Sequence, residues 1–447
     1  MRRILPSILC LMVLGSGARA ASSGKSARIS RPVDQPLPPR EGELLKGLIP
    51  DGLRLFIWYD PELEDEDVCL TVGVGSAFDM EHKQGAAAMA ADVLAHGHSG
   101  GVAASELAAA WEKDGYGLRV IPDEDAVSYQ LTLTHENLRA GLGAFGQLVA
   151  RCEVRDEDFA AAMQRARLRY SNSLPWSQAD SALRRELYQQ YSYHRVPMGT
   201  PENFSNLTRE IVRGYYSQYC RPNNSVLVMA GPVPPEEARQ VALKAFADWQ
   251  YGYIPPANPN PPPPLDHWVR EEVPGIEGTG AALGAAMLPH ASLEDAVALR
   301  VWTGMIEPLG DSSRMLWTRQ SSFRRHKLCD EVRIWWTAPD SEIMGSAKEW
   351  RDVPKDSLPL WSRECFDVGR DAAAEFLLSS DSWARVASRA ALFGWPVDTP
   401  DDLRRLLAAL TPESVAAAAR RLIPEDRWTL VLARASRATP MLSAGAR

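Results

Sequence analysis

Seven prolines fall within the thirteen residues from Tyr253 to Leu265 (YIPPANPNPPPPL). Proline fixes φ and offers no backbone N–H, so neither a helix interior nor a central strand accommodates such a run, and the segment reads as an interdomain linker. The sequence on either side of it repeats one plan. The first side closes with Leu207-Thr208, a helix through Tyr216, Arg221-Pro222-Asn223-Asn224 and a strand from Ser225 to Ala230. The second closes with Leu410-Thr411, a helix through Arg421, Ile423-Pro424-Glu425-Asp426 and a strand from Trp428 to Ala433. The same order at nearly equal internal spacing marks a duplication with a period of roughly 200 residues.

The openings match as well. Leu70 to Val74 runs in strand alternation into a loop and then an Ala-rich helix from Gly85; Ala281 to Met287 leads likewise into a helix from Leu293 to Ile306. Each repeat therefore reads as an α+β sandwich, helices on one face of a largely antiparallel sheet. The expected division is a leader over 1–20, a disordered mature N-terminus over 21–41, domains over 42–252 and 266–435 joined by the linker 253–265, and a tail over 436–447.

The leader follows from Arg2 and Arg3, the apolar run Ile4 to Leu14 and the small-residue site Ala18-Arg19-Ala20, so the mature chain is expected to begin near Ala21 in a periplasmic or secreted setting. The run is too short to span a bilayer, and no later stretch is long and apolar enough to do so. Losing residues 1–20 removes three Arg and no acid. The 49 basic against 57 acidic residues become 46 against 57, a net of −11 that favours neither nucleic acid nor anionic lipid. Five cysteines remain, Cys69, Cys152, Cys220, Cys329 and Cys365, widely spaced and without a C-x-x-C pair; an odd count without pattern reads as buried thiols.

The run from Val68 to Gly97 (VCLTVGVGSAFDMEHKQGAAAMAADVLAHG) resembles the N-terminal signature of the pitrilysin/insulinase-like (M16) zinc metallopeptidases. In active members the helix carries H-x-x-E-H, beginning three residues after the glycine that matches Gly85. The matching positions here are Ala88, Ala91 and Asp92, so both imidazoles and the catalytic carboxylate are missing. Zinc requires about three protein ligands and an open water position, and a methyl group supplies neither ligand nor base. Active relatives draw a further ligand Glu from a helix roughly 75 residues downstream. The matching helix, Phe159 to Tyr170, carries no acid. Other stretches resemble the family too: Leu48 to Leu55 its opening strand, Glu136-Asn137-Leu138 a helix start, Met198-Gly199-Thr200-Pro201-Glu202 with Leu207-Thr208 its G-T-x-E…L-T stretch, and Arg221-Pro222-Asn223-Asn224 its R-P-N-N.

The resemblance implies two homologous LuxS/M16-like domains forming a clamshell around a peptide chamber, in a catalytically silent subunit that pairs with an active zinc M16 peptidase and needs no cofactor itself. It also implies that Arg314, in a stretch similar to the family's S-R-L, contacts substrate carbonyls, although the Tyr expected downstream is absent. Two other readings stand beside this one. One is a peptide- or protein-binding scaffold without a peptidase partner. The other is a divergent zinc peptidase using Asp92, His96 and His98, three potential ligands within seven residues; the plainer account of these is an Asp–His pair near the Gly97 helix end. His82 and His135 read as solvated surface residues, and Trp335 and Trp336 as a strand pair that is either core or chamber lining.

Overall fold

The structure, a computed structural model, describes residues 43–171, 175–189, 191–255, 269–275, 279–287, 290–306, 319–337, 344–345, 363–423 and 428–435. The leader, residues 21–41, most of the proline-rich segment, the tail over 436–447 and Arg314 lie outside the described residues. The first half runs β1 (Glu43–Ile49), β2 (Leu53–Tyr59), β3 (Glu66–Val72), α1 (Ala86–His96), β4 (His98–Ser99), β5 (Val102–Ala103), α2 (Ala104–Glu112), β6 (Arg119–Pro122), β7 (Val127–Leu133), α3 (Leu138–Ala150), β8 (Cys152–Glu153), α4 (Asp156–Ser171), α5 (Pro175–Tyr188), α6 (Pro201–Phe204), α7 (Arg209–Tyr219), β9 (Ser225–Gly231) and α8 (Pro235–Ala245). The second runs β10 (Val269–Gly275), β11 (Thr279–Met287), α9 (Leu293–Ile306), β12 (Arg319–Arg325), β13 (Asp330–Thr337), α10 (Arg363–Leu378), α11 (Ser380–Phe393), α12 (Pro400–Ala409), α13 (Pro412–Leu422) and β14 (Thr429–Ala435).

The first large sheet has the order β1-β2-β9-β3-β7-β6 and the second β10-β14-β11-β13-β12. In each, one pair is parallel, β2 with β9 and β10 with β14, and every other pairing is antiparallel. With β1 set aside, the two orders and directions coincide strand for strand. The repeated Leu-Thr signature has a shared local cause: Thr208 accepts from the Ile211 N–H at 3.4 Å and Thr411 from the Ser414 N–H at 3.2 Å, so each threonine caps the helix that leads to the returning strand.

Central strands carry apolar residues on both faces because both faces are covered. Along β9, Leu227 and Met229 enter the core beneath the first half's helices, whereas Val226, Val228 and Ala230 face the other way. What covers that second face comes from the opposite half. Trp383, Ala384, Ala387 and Ala391 of α11 pack there, and the rings of Trp58 and Trp383 lie 5.3 Å apart. The arrangement is reciprocal, since Ala179, Ala182 and Leu183 of α5 pack on Ala282, Trp335, Val431 and Ala433 of the second sheet. Gly284 of β11 permits the close approach, because a Cβ there would stand 2.9 Å from Leu183 Cδ2. The α+β fold is therefore as the sequence reads, with one addition: among the described residues, each large sheet has its own helices on one face and one exchanged helix on the other.

The exchange fills the seam where α11 meets the first sheet, so this part of the expected clamshell is packed rather than open. Ser388 Oγ stands 2.6 Å from Thr71 Oγ1 and 3.5 Å from Cys69 Sγ, and Arg54 donates to the Ala391 carbonyl at 2.6 Å. A second contact between the halves is ionic and buried. Arg184 pairs with Glu124, Arg333 with Asp180 at 2.6 Å and with Glu331, and His326 lies 3.6 Å from both Glu124 and Asp125 and 3.7 Å from Glu331. Against the desolvation that burial brings, the charges of Arg333, His326 and Arg184 hold the Glu331 carboxyl down to about 2. Trp335 and Trp336 are 1% and 0% exposed, which assigns both to the core.

Candidate functional site

Helix α1 is held firmly at its start. Asp79, itself buried, accepts from the Gly85 N–H at 2.7 Å and the Ala87 N–H at 3.1 Å, which satisfies donors that a helix N-terminus leaves free. Burial raises its carboxyl to about 7, against the lowering effect of Tyr215 and those backbone donors. Gly85 adopts φ 91° and lies against Gly199 at φ 71°; a Cβ on Gly85 would fall 2.9 Å from the Gly199 Cα. Only glycine meets both demands. The resemblances noted at Gly85 and at Met198 to Glu202 are thus two sides of one contact.

From this anchored start, Ala88, Ala91 and Asp92 fall on buried positions of α1, 6%, 2% and 4% exposed. Helix α4 packs alongside, and it presents guanidiniums. Arg165 donates from Nε at 2.9 Å, and its Nη2 lies 2.8 Å away, both against Asp92 Oδ2; Arg169 Nη2 reaches Asp92 Oδ1 at 3.3 Å. His96, about half exposed, sets Nδ1 3.0 Å from the Asp92 carbonyl oxygen and 3.5 Å from its Oδ1. His98 turns to a different acid, with Nδ1 3.0 Å from both carboxylate oxygens of Asp158.

Of the alternative ligand set, Asp92 and His96 stay together while His98 is drawn away to Asp158. Asp92 already serves two arginines and His98 serves Asp158. Among the described residues, no group of three or more His, Cys, Asp or Glu side chains is placed to hold a metal ion. The residues present do not fit a catalytic zinc: two of the three motif positions are methyl groups, the third is an arginine-bound carboxylate, and the neighbouring helix brings positive charge where a cation would need negative charge. Cys69, Cys152, Cys220 and Cys329 are free and buried thiols. His82 and His135 are exposed.

Sequence reading missed Arg165 and Arg169. The signal was present, since an Asp on the apolar face of an Ala-rich helix requires a cation, and two arginines four residues apart share one face of the facing helix.

A family model described as Peptidase M16 inactive domain matches residues 206–322. The chain thus has an M16 peptidase-like architecture, with the match to the inactive-domain model confined to about a quarter of its length. Its fold is similar to that of the peptidase M16 inactive domain from Pseudomonas fluorescens, at 17% identity and a TM-score of 0.72 over 88% of this chain and 98% of that one. A protease from Helicobacter pylori is similar at 17% identity and a TM-score of 0.74, over 88% of this chain and 100% of that one. The periplasmic protease PqqL from Escherichia coli is similar at 14% identity and a TM-score of 0.63, over 89% of this chain and 48% of that one. No curated protein sequence matches the chain.

Proposed function

We propose that this protein is a catalytically silent M16-like subunit that pairs with an active zinc M16 peptidase and completes a peptide-processing chamber. The observation that carries the reading is the Asp92–Arg165 contact. The helix pair that would hold zinc in an active member is kept in place, and its metal is replaced by ion pairs that hold the same two helices together. Such a substitution preserves the shape of the fold while giving up its chemistry. The likeness to the Escherichia coli protease spans 48% of that chain and 93% of its first half.

On this reading the domains span 42–252 and 266–435, Arg314 holds substrate backbone, and the leader over 1–20 directs export to the periplasm or the medium. No helix of the described residues is long and apolar enough to cross a membrane. The test is reconstitution. The purified mature chain, mixed with a co-encoded H-x-x-E-H peptidase, is expected to raise peptide turnover above that of the peptidase alone, with the peptidase's motif essential. Arg314→Ala should lower turnover without dissolving the complex. A monomeric chain with no effect on the peptidase would reject pairing and favour the scaffold.

A further inference from the structure

Arg165 and Arg169 bring two positive charges to the single carboxylate of Asp92, leaving one in excess. Asp92 is 5% exposed in its side chain, whereas those of Arg165 and Arg169 are 34% and 41% exposed, so a buried carboxylate holds two arginine side chains that reach solvent. Their donors are far from exhausted. Arg165 uses Nε and Nη2, and Arg169 touches Asp92 through Nη2 alone, at 3.3 Å, although a guanidinium carries five N–H donors. Beside them stands Leu168, 53% exposed. Arg165, Leu168 and Arg169 stand at i, i+3 and i+4 and so share one face of α4, with His96 beside the same carboxylate on α1. Arginines near a helix C-terminus have an ordinary role in offsetting the helix dipole, but that role does not call for a large exposed apolar side chain beside them.

We infer that Arg165, Leu168 and Arg169, oriented by Asp92, form a site for the carboxylate of a peptide, with an apolar residue next to that carboxylate packing on Leu168. A planar guanidinium matches a carboxylate through paired N–H donors, and a second guanidinium adds charge without requiring the first to release Asp92. The inference rests on the proposed silent-subunit reading for its placement, because it assigns the former zinc position to holding a peptide end rather than cutting a peptide bond.

The test uses the mature chain alone and N-acetylated tetra-leucine as probe, in three forms: the free acid, the C-terminal amide, and an amide carrying one glutamate. Binding is followed through the Nε–Hε resonances of Arg165 and Arg169. The free acid is expected to bind saturably and shift both resonances, with affinity falling at least about tenfold in the plain amide and in Arg169→Gln, and partly retained in Arg169→Lys. Recovery by the glutamate-bearing amide keeps the site and assigns the carboxylate to a side chain rather than a chain end. Equal binding of acid and plain amide, resonances that do not move, or no saturable binding would overturn the inference. The resonances report on the unaltered chain, so a variant that fails to fold leaves the question decidable. No peptidase is present, so failure here is separate from failure of the reconstitution.

Discussion

Arg165 Nε lies 2.9 Å and its Nη2 2.8 Å from Asp92 Oδ2, a contact between two helices that are 73 residues apart in sequence. On the proposed reading, it joins the third position of the degenerate motif to the helix that supplies a further ligand in active members. Metal coordination and ion pairing meet the same structural need here, since both tie α1 to α4 across a buried polar position.

Asp92→Ala should therefore destabilise the fold. Removing one partner of a buried pair costs about 3–5 kcal/mol, but both arginines are more than a third exposed and regain water, so about 1–2 kcal/mol is expected. Urea unfolding measures it. In a double-mutant cycle with Arg165→Gln, the combined loss should be smaller than the sum of the single losses, and strict additivity would show that the contact carries no energy.

The exchanged helix predicts a stability cost seated between the halves. Trp383 is 1% exposed and packs on Trp58, so Trp383→Ala should cost about 3–5 kcal/mol in chemical denaturation. Leu183→Ala, on the reciprocal helix, should cost about 2–5 kcal/mol. A loss under about 1 kcal/mol at both sites would mean that neither helix covers the opposite sheet.

Much of this fold is legible in the sequence. Leu293 to Ile306 reads as a helix with the ends it has in the structure, and the Thr208 and Thr411 caps mark the duplicated closing units. The opening strand is less exact: alternation suggests Leu70 to Val74, and the strand ends at Val72, where Gly73 instead donates to the Asn224 carbonyl at 2.8 Å. The exchange of α5 and α11 was not legible. A stripe such as Ala179, Ala182 and Leu183 states that a helix face is buried, not which of two similar sheets buries it. At the candidate site, Ala88, Ala91 and Asp92 were named from the sequence, but the arginines that hold Asp92 required the packing of α1 on α4.

Backbone geometry gives a further expectation. Gly85→Ala places a side chain at φ 91° and against Gly199, so it should cost about 1–3 kcal/mol and loosen the start of α1. Hydrogen exchange over residues 86–92 should rise in this variant; unchanged protection would contradict the account of that contact.

Two buried carboxyls set a pH dependence. Burial raises Glu66 to about 8, with the Val233 N–H opposing, and raises Asp79 to about 7. The folded chain keeps these protons where the unfolded chain, with ordinary values of 4.5 and 3.8, has released them. Their contribution to stability is fully present below about pH 4 and is lost as pH rises through 7 to 8. Glu66→Gln should remove its share, on the order of 3 kcal/mol between pH 5 and 8, and flatten the slope of urea stability against pH. A slope identical to that of the unaltered chain would contradict the assignment.

The central claim is that ion pairing has taken the place of zinc, and metal content tests it most directly. The mature chain, saturated with zinc, dialysed and analysed by mass spectrometry, should retain far less than one equivalent, because Ala88 and Ala91 offer no ligand and Asp92 is bound by Arg165 and Arg169. One tightly held equivalent, lost in Asp92→Ala or His96→Ala, would contradict the account and restore the reading of a divergent zinc peptidase.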